Sequence, residues 1–399
     1  MPAANPAPIE SQLTMNSDLI AVIPAAGLGT RMGSLTHDLP KALIKIEDRT
    51  LLELAMAALN RIGVAKVVIV TGHFGEVIRD FVGARDFGMP IEFAHQDLQL
   101  GLAHAIAVAR EKIDRDFVLL CPDNIFSDEN DLQQAKELFL KHRPAMLMVA
   151  TVTPTHQRDR AKYSSRTLSP IDAQLYAIRK TGEPLGGVTM TSTGCTFFSH
   201  ETLKLLPKFE NRQAEHKFPE FTDKISESGS SLLYLLRGTR YDLSEHQDVE
   251  NYLELQERLR RTSARGVSAI LINQDGKVLL QHRDDNPQIR YPGHWALFGG
   301  TIEPEETPYA AARREIKEEI GYDAPNLSLF REFVQNDKRE YAFVGEIDAE
   351  LDELSLTEGQ GMDFVAVSKL GNMPIRPDDK ETLKAYFGET DVREHAVQS

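Results

Sequence analysis

Short apolar runs at residues 19–24, 67–71, 117–121 and 146–152, with a strand-like stretch at 91–95, alternate with stretches of helical character, and this alternation limits what the first part of the chain can become. Each run is brief and apolar, the pattern of a strand covered on both faces. Thr50 with Glu53 three residues later has capping-box spacing, and Gly63 closes the helix they open. Further helices are expected near 75–82, 102–111 and 131–141. Strands alternating with helices make an α/β unit with a mostly parallel, doubly wound, Rossmann-like sheet. Ligands on such a sheet bind at the carboxyl ends of strands. Gly27, Gln96 and Asp123 each closely follow an expected strand, so all three are candidates to line one crevice.

At 399 residues the chain has room for two or three cores. A net charge of −15 excludes a nucleic-acid surface, which needs a basic stripe, but leaves room for nucleotides held by local Arg and Lys. The two cysteines, Cys121 and Cys195, fit neither a metal spacing nor a disulfide framework, so a reducing, cytoplasmic setting is expected. No apolar run approaches the length of a membrane span, and no membrane partner is expected. Residues 1–17 read as a flexible leader, 18–261 as a first domain, 262–266 as a linker, 267–388 as a second domain and 389–399 as a polar tail.

The first apolar run leads into Ala26, Gly27, Gly29, Thr30 and Arg31. Glycines let the backbone approach a ligand and aim N–H groups at an anion. Arg31 adds a fork of donors suited to phosphate, and Lys41, after Pro40, adds a second cation. Together with Gln96, Gly101, Asp123 and the later Tyr241-Asp242, these pieces resemble the sugar-1-phosphate nucleotidyltransferases, over roughly Asp18 to Arg260. The resemblance implies attack of a sugar-phosphate oxygen on the α-phosphorus of a nucleoside triphosphate, with pyrophosphate leaving. It places Ala26, Gly27, Gly29, Thr30, Gln96 and Gly101 on the nucleotide, with Gln96 and the backbone near Gly101 reading the base. Arg31 and Lys41 take the catalytic role of holding the triphosphate, and Asp123 and Asp242 share Mg²⁺. Lys180, Glu183 and Gly194 fall toward the acceptor. The chain departs from the family pattern at Pro122, where glycine is common, after Lys41, where a second proline is absent, and across 178–187. Base and acceptor stay open, and a cytidylyltransferase with a non-sugar phosphate acceptor is the alternative.

In the last third, residues 267–272 and 277–281 flank Asn273, Gln274, Asp275 and Gly276, a hairpin signature. Thr307 reads as an N-cap before Pro308, and Tyr309, Ala312, Ile316 and Ile320 form a core-facing stripe. Glu315, Glu318 and Glu319 recur at i, i+3 and i+4, so their carboxylates are expected to converge on one flank. Carboxylates so placed repel one another unless a cation sits among them, and oxygen-rich clusters suit Mg²⁺ or Mn²⁺. With Gly300, Glu306, Arg314 and Gly321 at fixed offsets, this stretch resembles the Nudix box, every required position filled. The resemblance implies an α+β fold with a mixed sheet and a Mg²⁺-dependent hydrolase of nucleoside diphosphate derivatives. By position Glu315, Glu318 and Glu319 hold metal, a carboxylate activates water, and Arg314 and Glu306 support them. Glu358 lies on a connection that could add one further carboxylate, or serve as an ordinary acidic turn.

One half would make a phosphoanhydride and the other would break one. Acting on one compound they would consume triphosphate in a futile cycle, so the hydrolase is expected to take a different or downstream nucleotide. A domain that only senses nucleotide is the alternative. The number of subunits is left open, a homo-oligomer included.

Overall fold

The first apolar run becomes β1 (Ile20–Ala25), and its first four residues have no solvent exposure. The computed structural model describes residues 19–27, 29–37, 39–128, 130–153, 167–172, 174–179, 189–209, 217–262, 264–335, 338–389 and 392. After β1 come a small hairpin of β2 (Lys45–Ile46) and β3 (Arg49–Thr50), then α1 (Leu51–Arg61), β4 (Lys66–Thr71), α2 (Gly75–Gly83), β5 (Ile91–His95), α3 (Leu102–Ala109) and β6 (Phe117–Leu120). The chain continues through β7 (Asn124–Phe126), α4 (Asp131–His142), β8 (Met146–Thr153), β9 (Thr167–Asp172), β10 (Leu175–Arg179) and β11 (Thr189–Phe198). Then follow α5 (Lys217–Ser228), β12 (Ser231–Leu235), β13 (Arg240–Asp242) and α6 (His246–Arg260). The expected capping box is present: Thr50 Oγ1 accepts from Glu53 N at 3.2 Å, and the Glu53 carboxylate accepts from Thr50 N at 2.7 Å.

The large sheet runs β5-β4-β1-β6-β11-β8-β12-β10-β9. It is parallel from β5 through β6 and between β8 and β12, while β11, β10 and β9 run against their neighbours. Strand order reverses at β1, because the chain leaves β1 toward β4 on one side and returns to β6 on the other. A crevice at the carboxyl ends of β1 and β6 follows from that reversal. β7 and β13 stand outside the large sheet as a separate two-stranded ladder.

The remaining elements are β14 (Ala264–Ile272), β15 (Val278–His282), β16 (Trp295–Ala296), α7 (Pro308–Ile320), β17 (Ser328–Gln335), β18 (Lys338–Glu346), β19 (Gly361–Val365), α8 (Val367–Leu370) and α9 (Pro377–Phe387). They form a second, mixed sheet in the order β16-β15-β14-β18-β17, with β19 on β15. The stripe of α7 is as expected, with Ala312, Ile316 and Ile320 buried. The expected linker at 262–266 is different. Arg265 and Gly266 already belong to β14, paired with Arg339 and Glu340 of β18. Their polar and small side chains conceal a strand whose identity comes from its parallel partner.

The two sheets meet closely. Gln174 Nε2 donates to Tyr309 Oη at 3.0 Å and to Pro325 O at 3.2 Å, and Ser328 Oγ donates to Leu236 O at 2.9 Å. One buried apolar cluster runs from Met148, Ala150 and Tyr176 of the first sheet to Ile270, Ile272 and Val344 of the second. Among the described residues no helix is long and apolar enough to cross a membrane.

Candidate active sites

At the crevice beyond β1 and β6 lies a cleft of about 450 Å³. Ala26, Gly27, Gly29, Thr30, Arg31, Lys41, Gln96, Gly101 and Asp123 all line it. Gly29 has φ 66°, and a Cβ there would fall 2.8 Å from Thr36 Cγ2. Thr36 Oγ1 in turn donates to Gly29 O at 2.8 Å and locks the turn. A Cβ at Gly27 would meet nothing within 4 Å, so the space a side chain would fill belongs to the cleft. Gln96 is buried, its Nε2 lying 2.8 Å from His104 Nδ1 and 3.4 Å from Gly101 O. Gly101, at φ 83°, opens α3 beside it. Gln99 and Ser244 also line the cleft, and no sequence pattern singles them out.

The small ladder pairs Asp242 with Asn124, the residue after Asp123; Asp242 itself is not among the residues lining the cleft. Leu243 N donates to Asp123 O at 2.8 Å, fixing the crossing. Lys41 Nζ contacts Asp123 Oδ2, and Asn124 Nδ2 donates to Asp123 Oδ1 at 2.8 Å. Arg240 Nε donates to Asn124 Oδ1, and its Nη2 pairs with Asp242 Oδ2. A continuous polar chain thus runs Lys41–Asp123–Asn124–Arg240–Asp242. Both carboxylates present hard oxygen, and both already draw a cation, so the donor set fits Mg²⁺ or Mn²⁺. Asn124 and Arg240 escape a reading of the sequence, because three-residue strands are too short to display a period and their register is set across the fold.

Gly194 does not line the cleft. It has φ 72°, and a Cβ there would lie 2.9 Å from Asn124 Nδ2 and 3.1 Å from Cys121 Cβ, so it makes room for the wall behind Asp123. Lys180 and Glu183 lie outside the described residues.

In the second sheet, the Gly299-Gly300 turn is pressed onto α7. Gly299, at φ 144°, has no room for a Cβ, which would fall 2.2 Å from Val267 O. A Cβ at Gly300 would fall 2.3 Å from Glu315 Oε1. Gly299 N donates to Glu319 Oε2 at 3.1 Å. Burial pushes the Glu319 carboxyl up to about 8; Glu315 and Glu358 add to the rise, against the Gly299 hydrogen bond and Arg376. Glu358 is therefore close enough to act on Glu319 electrostatically. Arg314 clamps Glu306 with Nε at 3.0 Å from Oε1 and Nη2 at 3.1 Å from Oε2. Its Nη1 lies 3.1 Å from both Glu315 Oε1 and Glu318 Oε2. The hydrogen bond from Arg314 is the largest influence holding the Glu306 carboxyl below its usual range.

The i, i+3, i+4 spacing predicts three converging carboxylates; Glu315 and Glu318 meet at Arg314 Nη1, while Glu319 lies apart under the Gly299 turn. Among the described residues no three Asp, Glu, His or Cys side chains stand together as a ready metal cage. Glu318 is exposed and turned onto Arg314, while Glu319 lies under the Gly299 turn. Like charges separate when a cation is within reach of only some of them. The partly buried Glu319, with Glu315 and Glu358 adding negative charge, still forms an oxygen-rich place that favours a cation. A neighbouring cleft of about 190 Å³ is lined by Ser268, Arg290, Gly300, Phe333, Gln335, Lys338 and Arg376, among others.

The chain belongs to the nucleotidyl transferase family, whose model matches residues 20–241, and residues 262–386 match the NUDIX domain. It is an enzyme. It is 28% identical over 244 residues to the UTP–glucose-1-phosphate uridylyltransferase AglF of Haloferax volcanii, covering 60% of this chain and 96% of that one. It is 34% identical over 110 residues to the low-salt glycan biosynthesis nucleotidyltransferase Agl11 of the same organism, covering 27% of this chain and 31% of that relative. The crystal structure of apo UDP-glucose pyrophosphorylase superposes with a TM-score of 0.53 at 18% identity, covering 61% of this chain and 99% of that one. That structural likeness carries the fold of the first sheet.

Proposed function

We propose that residues 18–261 transfer a nucleotidyl group from a nucleoside triphosphate to a sugar 1-phosphate, and that residues 264–388 hydrolyse a nucleoside diphosphate derivative. The observation that carries the first part is the cleft at the strand reversal, which gathers the glycine turn, Arg31, Lys41 and Asp123. The AglF relative, named for UTP and glucose 1-phosphate, supports the choice of substrates.

An acceptor phosphate oxygen attacks the α-phosphorus in line. One P–O bond forms as the α–β bridge breaks, and pyrophosphate departs with the electron pair. Such a transfer needs alignment and charge neutralisation more than covalent chemistry from the protein. Backbone N–H groups in the turn at 27–30, with Arg31 and Lys41, hold the triphosphate and take up charge on the leaving group. Gln96 and the backbone at Gly101 face the base. Asp123 and Asp242 would hold Mg²⁺ or Mn²⁺, which supplies further neutralisation of phosphate oxygens. At the second site Glu315, Glu318 and Glu319 would hold the ion, with Arg314 orienting them and Glu306 anchoring Arg314.

Incubation with each nucleoside triphosphate, a panel of sugar 1-phosphates and Mg²⁺ tests the transfer, read as pyrophosphate release. No release with any pair refutes it. For the second site, Glu318→Gln should lower hydrolysis of nucleoside diphosphate derivatives on the order of a hundredfold with folding retained. An unchanged rate refutes the metal assignment. The engagement of Glu318 by Arg314 favours one second reading, a domain that binds nucleotide without cleaving it. Binding without turnover in the unmodified protein would decide for that reading.

A further inference from the structure

The strand that carries Asp242 is anchored from the other domain. In β13, Arg240 and Asp242 engage each other and Asn124, while Tyr241 between them donates its hydroxyl to Glu332 Oε2 of β17 at 2.6 Å. Glu332 is 6% exposed, and its second oxygen accepts from Arg339 Nε at 2.6 Å. A buried carboxylate is costly unless its oxygens are satisfied; here one domain supplies one donor and the other domain supplies the second. The ring of Tyr241 also packs edge-on against Tyr252, with centroids 4.9 Å apart. Thr239, just before β13, donates to Leu329 O of β17 at 3.4 Å.

The need for such an anchor is physical. The β7–β13 ladder has three residue pairs and stands apart from the large sheet. A two-stranded ladder is marginal by itself. Yet it holds Asp242 opposite Asn124, the residue next to Asp123. β17 also contributes Phe333 and Gln335, on either side of Val334, to the second cleft.

We propose that Tyr241, Glu332 and Arg339 form a relay across the domain seam that positions Asp242 and Arg240 for nucleotidyl transfer. The second domain is then a working part of the first site, whatever it hydrolyses itself. This inference rests on the transfer reading, in which Asp242 helps to hold the divalent ion. Tyr241 and Glu332 are positioning residues, since neither lines the first cleft.

The test uses the full chain. Tyr241→Phe removes one hydroxyl and keeps the ring against Tyr252; Glu332→Gln keeps shape and removes charge. Three quantities are read: kcat and KM for pyrophosphate release, Mn²⁺ affinity by electron paramagnetic resonance, and melting temperature. For Tyr241→Phe we expect kcat to fall about tenfold, KM for the triphosphate to stay within about twofold, and Mn²⁺ binding to weaken about as much as kcat falls. The double variant should be little worse than the poorer single, as for residues acting as a unit. Tyr252→Phe should leave all three readings unchanged. A Tyr241→Phe protein with wild-type kcat and Mn²⁺ affinity overturns the relay, even if its melting temperature drops, and so does strict additivity. If Glu332→Gln fails to fold, Tyr241→Phe alone decides. Should the unmodified chain release no pyrophosphate, the transfer reading fails, and the Mn²⁺ comparison still decides whether the relay sets Asp242.

Discussion

Glu319 is where burial and charge conflict most. Its usual value near 4.5 is raised to about 8, first by burial and then by Glu315 and Glu358. The folded chain therefore keeps a proton that the unfolded chain loses between those two values. Linkage gives the sign: without divalent ions, this group makes stability fall as pH rises from 4.5 through about 8. Glu319→Gln should flatten that slope in melting curves taken across the window, and an unchanged slope would remove Glu319 as its source. Mg²⁺ should stabilise the unmodified protein more at the alkaline end, where the bare carboxylate is most costly. The adjacent glycines give a second contrast. The atoms nearest a Cβ at Gly300 are the flexible end of Glu315, whereas those nearest one at Gly299 are backbone atoms of Val267 and Ser268. Gly300→Ala should thus fold nearly normally while losing hydrolysis, and Gly299→Ala should lose melting temperature. The reverse pattern would mean that Glu315 has no part in the chemistry. At this scale the acidic residues were readable from their spacing. The turning of Glu318 onto Arg314 was not, because it depends on which cation is near.

Elements were readable in proportion to their length and apolar content. β1, β4 and β6 stand out because they are buried along most of their length, leaving unbroken apolar runs, whereas β5, at the edge of the nine-stranded sheet, is only partly buried and carries Glu92 and His95. β7 and β13 do not stand out, having three residues each and an identity that comes only from pairing. The start of β14 was hidden for the same reason, since Arg265 and Gly266 are strand only beside Arg339 and Glu340. Helix ends were clearer, because their signals are local. Thr307 caps α7 by accepting from Ala310 N at 3.2 Å, with Pro308 in the first turn. Thr307→Ala should cost about 1 kcal/mol in urea unfolding. It should also loosen the first turn below Glu306 and Arg314. A cost near zero would mean that packing of Ala312, Ile316 and Ile320 alone holds the helix start.

At the scale of the molecule, two sheets with separate chemistry could be loosely tethered or locked together. The expected linker at 262–266 is too short to let the domains move far apart, and the structure goes further, with a shared interior. Gln174 is the clearest single link: its amide bonds Tyr309 and Pro325 on one side, and its Oε1 accepts from Arg237 Nε at 3.1 Å on the other. Arg237 also lies over the Tyr309 ring, 5.1 Å from its centroid. With the apolar cluster continuous across the seam, neither half can unfold without exposing core that belongs to both. Calorimetry should therefore give one transition whose van't Hoff and calorimetric enthalpies agree. A nucleoside triphosphate bound at the first site should raise that single transition as a whole. Gln174→Ala, which removes the acceptor of Arg237 Nε and the bonds across to Tyr309 and Pro325, should broaden or split it. Two transitions in the unmodified chain, with only one responding to triphosphate, would mean that the halves unfold independently and that the seam contacts add little to stability.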